Sequence, residues 1–446
     1  MRIVMNKKSN VLPRVSIFAF LLFCGFGLFV SAANALGIES ITSEKGLTAW
    51  LVEDRTVPVV SIQFSIGGGT TQDPEGKEGL ANLMTGLFDE GAGDLNSDAF
   101  QSRLDAIGAE MAFSTNRDRM RGSMKVLAEN SNEAFNLLAL AVQKPRFDEE
   151  AINRIREQLV AELKASEKDP KTIAQNRLLA LIYGKHPYGR RGEGTPETLN
   201  RIKREDLVNS HQAMFARDNI HIGIVGPVSR DEATKIIDRI FGDLPEKAKL
   251  QNIEEAKLNL GGMANVNYDL PQTSLMLVYP GIKRNDPDFF AAYLMNYVLG
   301  GPGLTSRLFS EVREKRGLAY TVGSSLMIYE HSAALAVSTG TRSSEAQKTL
   351  STIRNEVRKM ADEGVSEQEL DDAKSYVIGS YAVQNMGSSS DIAATLVGLQ
   401  DEKLPIDYID KRRSLIEAVT RDQVKAIAEK LLRPEPALLV IGPSKS

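Results

Sequence analysis

Arg313 and Tyr320 close the stretch Gly300-Gly-Pro-Gly-Leu-Thr-Ser-Arg-Leu-Phe-Ser-Glu-Val-Arg-Glu-Lys-Arg-Gly-Leu-Ala-Tyr320. A guanidinium and a phenol are hydrogen-bond donors, so the chemistry available to them together is to hold an oxygen. The other reactive side chains are few and scattered. His186, His211, His221 and His331 are the only histidines, and no two lie at i,i+3 or i,i+4. Transition-metal sites need clustered His, Cys or carboxylates, so each histidine reads as structural. Cys24 is the only cysteine. The serine run Gly387-Ser-Ser-Ser390 lacks the strand–turn–helix setting of a nucleophile elbow and reads as a loop.

The elements that must position Arg313 and Tyr320 have local causes. Gly300, Gly301 and Gly303 around Pro302 exclude a regular element, so the chain turns there. Leu304, Leu308 and Val312 recur at four-residue spacing and predict one apolar helical face. Arg313, Lys315 and Arg316 fall in its last turn, where cations suit the helix dipole, and Gly317 supplies the stop. Leu318, Tyr320 and Val322 then alternate as on a half-buried strand. The spacing lets both side chains face one space. Taken alone, Arg313 reads as a solvated helix charge and Tyr320 as a core tyrosine with a satisfied hydroxyl.

Composition narrows the class. Residues 1–35 read as a removable leader: Arg2, Lys7, Lys8 and Arg14, then the apolar run Val15 to Val30, then Ser31-Ala-Ala-Asn-Ala35. The run is short of the roughly 20 apolar residues that span a bilayer. A soluble, exported and periplasmic protein is expected, beginning at Leu36. Cys24 leaves with the leader, so neither disulfide nor thiol chemistry is expected afterwards. Four cations leave too, taking the formal net charge from −4 to about −8, which argues against nucleic acid.

The remaining chain reads as α+β and as a repeat. Val60, Ile62, Phe64 and Ile66 alternate with polar residues, predicting a strand with one buried face. Ser274 to Gly281 matches Ser61 to Gly68, and Asp286-Pro287 matches Asp73-Pro74, both at an offset of 213. Ile441-Gly-Pro443 matches Val225-Gly-Pro227 at 216, and Val419 to Val424 echoes Ile202 to Leu207 at 217. Four matches in one order predict a duplicated domain, 36–245 and 263–446, joined by a polar linker, 246–262.

The Gly300–Tyr320 stretch and the whole-chain repeat resemble the pitrilysin and insulinase (M16, inverted zincin) peptidases. The resemblance implies two homologous sheet-plus-helix domains facing one another as a clamshell. It also implies that Arg313 and Tyr320 hold the carbonyl of a substrate peptide, beside the loop Gly300, Gly301, Gly303. Active members carry His-x-x-Glu-His on the helix after the first strand, binding zinc and supplying the base. Here Asn82, Thr85 and Gly86 fall at those positions, and only Glu162 falls where a further ligand would lie. These residues make no zinc site, so no catalytic residue and no cofactor is expected in this chain. The implied role is the non-catalytic, substrate-binding subunit of a heterodimeric peptidase whose partner keeps the motif and the zinc. The alternatives are a stand-alone peptide-binding or chaperone-like protein, and a zinc endopeptidase in its own right.

Overall fold

The computed structural model describes residues 36–443. The expected leader, with Cys24 and the cleavage position after Ala35, lies outside the described residues. Among the described residues no helix is long and apolar enough to cross a membrane.

The first half holds β1 (Glu39–Thr42), β2 (Thr48–Glu53), β3 (Val59–Gly67), a small ribbon of β4 (Gly91–Ala92) and β5 (Leu95–Asn96), then β6 (Glu110–Thr115), β7 (Arg119–Leu127) and β8 (Ile220–Gly226). The second holds β9 (Met263–Asn267), β10 (Gln272–Pro280), β11 (Ala319–Tyr329), β12 (Ser332–Arg342) and β13 (Ala437–Gly442). The two main sheets run β1-β2-β8-β3-β7-β6 and β11-β12-β10-β13-β9. From β6 inward they are the same sheet, down to the one parallel pair, β2 with β8 and β9 with β13. The repeat is also a register: Ser61 faces Val225 and Ser274 faces Ile441. Among the described strands of the two main sheets, β1 alone has no counterpart.

Each sheet is backed by helices of its own half. Ser131–Gln143 packs with Arg230–Phe241 in the first half, and Ala346–Glu363 with Arg421–Leu432 in the second. Arg230–Phe241 shows the local logic. Ser229 and Glu232 close a capping box, and Ala233, Ile236, Ile237 and Ile240 form one buried face.

The opposite faces are covered by an exchange. The second-half helix Ser389–Asp401 lies on β3 and β8 of the first sheet, and the first-half helix Pro170–Tyr183 lies on β13 and β9 of the second. Gly223 in β8 makes the first contact possible, because a Cβ there would stand 2.6 Å from the Ala393 carbonyl oxygen. The second forms an apolar cluster of Leu178, Leu179, Ile182 and Tyr183 with Val278, Ala334, Ala437 and Leu439. This corrects the expectation of one buried face on β3. Ser61 and Ser65 are buried as well, Ser61 Oγ lying 3.1 Å from Ser390 Oγ. Their hydroxyls are satisfied by the exchanged helix, so polar alternation here marks a contact between halves rather than solvent.

Candidate functional site

The structure brings Arg313 and Tyr320 together. The Arg313 guanidinium carbon lies 4.8 Å from the Tyr320 ring centre and 4.8 Å from that of Phe309, close enough for cation–π attraction to both. The helix carrying Arg313 differs from the expected one. Leu304 is in the preceding loop and 65% exposed, while Leu308 and Val312 are fully buried. Phe309–Glu314 is wound as a π-helix, with Lys315 N–H reaching back to the Ser310 carbonyl at 2.9 Å. Such wide turns displace side chains from the ordinary helical spacing. Tyr320 is placed by a second irregularity. Ala319 pairs with Thr341 and Thr321 with Gly340, so Tyr320 is the extra residue of a β-bulge and stands 74% exposed.

Charge is distributed unevenly around this pair. Lys315 and Arg316 both bond Glu311, and those two contacts hold its carboxyl down at about 2. Arg313 is half-buried and, among the described residues, makes no ion pair. It is therefore the cation left available to a ligand. Arg307, at the start of the same helix, anchors it: the guanidinium grips Glu369 through two bonds of 2.7 Å and donates to the Gly364 carbonyl at 2.9 Å. Burial raises the Glu369 pKa but this grip outweighs it, leaving the carboxyl at about 2.

The glycines divide by cause. A Cβ on Gly300 would stand 2.6 Å from Ser324 N in β11, and one on Gly301 would stand 2.6 Å from Tyr297 Cα. Both are required by packing inside the protein. Gly303 alone has open space, with φ at +115°, a conformation that favours glycine. Beside the loop runs β11, eleven residues long, hydrogen-bonded to β12 on one side and at the edge of its sheet on the other.

The positions where a metal motif is expected are built differently. Asn82, Thr85 and Gly86 lie at the short helix Leu80–Thr85 and its end. Thr85 Oγ1 donates to the Asn82 carbonyl at 2.7 Å, so its hydroxyl is occupied within the helix. Ile155 Cγ2 lies 3.0 Å from where a Cβ on Gly86 would be, filling the space a histidine needs. Glu162 is exposed and accepts from Gln158 Nε2 at 3.0 Å on its own helix. Zinc does not fit these residues: none is a nitrogen or sulfur ligand of the usual kind.

The histidines serve the scaffold. His186 accepts from Tyr188 N–H at 3.1 Å, and its Nε2 lies 2.9 Å from the Glu254 carbonyl. His211 Nε2 lies 2.9 Å from the Val142 carbonyl, and burial pushes its pKa down to about 4. His221 Nδ1 lies 2.8 Å from Asp401, and His331 donates its backbone N–H to the Tyr188 hydroxyl at 2.9 Å.

Two struts missed by sequence reasoning join the halves. Asp401, at the end of the exchanged helix, accepts from Ser65 at 2.5 Å and pairs with Arg119 and Arg121 at 3.2 Å each. Burial raises its pKa, yet His221, Arg119 and Ser65 together hold it below the ordinary value. At the other strut, Asp118 accepts from the Tyr188 hydroxyl at 2.5 Å and from Glu330 N–H at 3.0 Å. That strut joins the β6–β7 and β11–β12 hairpin turns. Between the halves lies a cleft of about 590 Å³, with Asn82, Arg117, Asp401 and Tyr329 among its walls.

This plan is one already known in peptidase relatives. Residues 49–195 match the family model described as insulinase (peptidase family M16), and residues 201–377 match the one described as the peptidase M16 inactive domain. A crystal structure of a peptidase M16 inactive domain from Pseudomonas fluorescens superposes with a TM-score of 0.87 at 29% identity, over 92% of this chain and 99% of that one. A protease from Helicobacter pylori shares the fold, with a TM-score of 0.81 at 20% identity over 91% of this chain and 99% of that one. Among curated relatives, the uncharacterized zinc protease YmxG of Bacillus subtilis is 26% identical over 91% of this chain and 98% of its own length. The non-peptidase homolog YmxG of Helicobacter pylori is 26% identical over 84% and 87%. The chain belongs to the M16 peptidase family, as a member of its inactive type.

Proposed function

We propose that this protein is the non-catalytic, peptide-holding subunit of a periplasmic, heterodimeric M16 peptidase. The observation that carries the reading is the contrast within one chain: among the described residues Arg313 makes no ion pair and stands beside an exposed Tyr320, while Asn82, Thr85 and Gly86 offer no zinc ligand. An extended peptide adds to the open edge of β11 through main-chain hydrogen bonds. Arg313 and Tyr320 donate to one of its carbonyl oxygens, the charged donor contributing the stronger bond. Cleavage belongs to a partner that keeps His-x-x-Glu-His and its zinc.

The test is to isolate the chain with whatever it binds in its native cell, then assay peptide hydrolysis by the complex. Arg313→Ala is expected to leave assembly intact and to lower activity at least about tenfold, the cost of one charged hydrogen bond. Full activity in that variant would remove the assigned role. Recovery of the chain without an M16 relative would remove the heterodimer.

A further inference from the structure

A second cavity, of about 680 Å³, lies where the exchanged helix Pro170–Tyr183 meets the loop at Gly189 to Pro196 and the edge strand β9. Four arginines line it: Arg117, Arg177, Arg190 and Arg191. Against them stand two carboxylates, Glu167 and Glu193, both exposed. Among the described residues none of the four guanidiniums makes an ion pair. Arg190 donates only to the Asp73 carbonyl, at 3.3 Å. Arg117 lies 5.9 Å from the ring centres of both Tyr188 and Tyr329, held by aromatic faces instead of a carboxylate. In a chain of net negative charge, four guanidiniums without an ion pair gathered on one cavity form a local concentration of positive charge.

We infer that this cavity binds an acidic stretch of extended peptide. Two features select that ligand. Guanidinium matches a carboxylate bidentately, which favours Asp and Glu side chains over a neutral chain. The lining also includes Asn265, Val266 and Asn267 of β9, whose sheet partner among the described residues is β13 alone, so a short extended segment can lie along it. Arg117 and Glu193 line both this cavity and the cleft between the halves, making the two spaces neighbours. The inference takes from the proposed function only that the ligand is a peptide. It needs neither a partner nor Arg313.

The experiment measures binding of two fluorescent, unstructured peptides of equal length to the full chain, one Glu/Ser and one Gln/Ser. The Glu peptide is expected to bind about tenfold tighter at low salt, with the difference shrinking as salt rises. The double variant Arg177→Glu with Arg191→Glu is expected to abolish the preference. Both side chains are exposed, and the neutral pair Arg177→Gln with Arg191→Gln, expected to weaken it less, guards against a folding defect. Equal binding of the two peptides, or an unchanged preference in both double variants, overturns the inference. Displacement of the Glu peptide by an equal concentration of inorganic phosphate also overturns it, because the site is then one for simple anions. A preference that survives Arg313→Ala supports the cavity and separates it from the Arg313–Tyr320 pair.

Discussion

In the first half, Ile155 comes within 3.0 Å of the place a Cβ would occupy on Gly86, and Thr85 spends its hydroxyl on its own helix. In the second half, a π-helix and a bulge leave Tyr320 74% exposed and Arg313, among the described residues, without a carboxylate. One half sets an apolar side chain against the helix end where a metal motif was expected. The other keeps two donors available despite the cost of irregular backbone. Under the proposed function, the difference is what a chain that holds peptide without cleaving it requires.

Substitutions in each half test the difference between them. The largest effect is expected at the strut that both regions depend on. Asp401→Ala leaves Arg119 and His221 facing a buried gap and is expected to cost about 3–5 kcal/mol in urea unfolding. Gly86→His comes next. It forces Ile155 aside, with an expected loss of about 1–3 kcal/mol, and Ile155→Ala in the same chain should recover part of it. A neutral Gly86→His would mean that the space is not filled, and the contrast between the halves would fall.

Arg307→Ala is expected to cost about 1–2 kcal/mol and to carry a pH signature. Glu369 sits at about 2 in the folded protein against an ordinary 4.5, so its contribution is complete above 4.5 and fades as pH falls toward 2. Thermal melts across that window should slope less steeply in the variant than in the parent. The smallest effect on stability belongs to Arg313→Ala and Tyr320→Phe, each within about 0.5 kcal/mol by calorimetry, because neither holds the fold together. A large loss there would make the pair structural.

Much of the fold was legible because duplication preserves register. Ser61 and Ser274 share a sequence context and also share a cross-strand neighbour. A glycine stop between a helix and a strand allowed Arg313 and Tyr320 to face one space, and a π-helix and a bulge bring them together. What stayed hidden depends on distant chain. Ser61 and Ser65 carry no mark that a helix more than 300 residues later will bury them. Leu304 keeps the helical spacing yet lies in the loop, since local periodicity does not register the anchoring of Arg307 by Glu369 sixty-two residues on. The arginine cavity was invisible for the same reason, its residues coming from a hairpin turn, a helix and a loop.

The exchange of Pro170–Tyr183 for Ser389–Asp401 has a consequence for how the molecule comes apart. Segment 246–262 has no regular structure, but severing it would not release two products. Each fragment would still carry the helix that roofs the other's sheet, so the nicked species should migrate as one particle until denaturant is added. The two pieces are complementary fragments, and neither prepared alone would be a soluble domain.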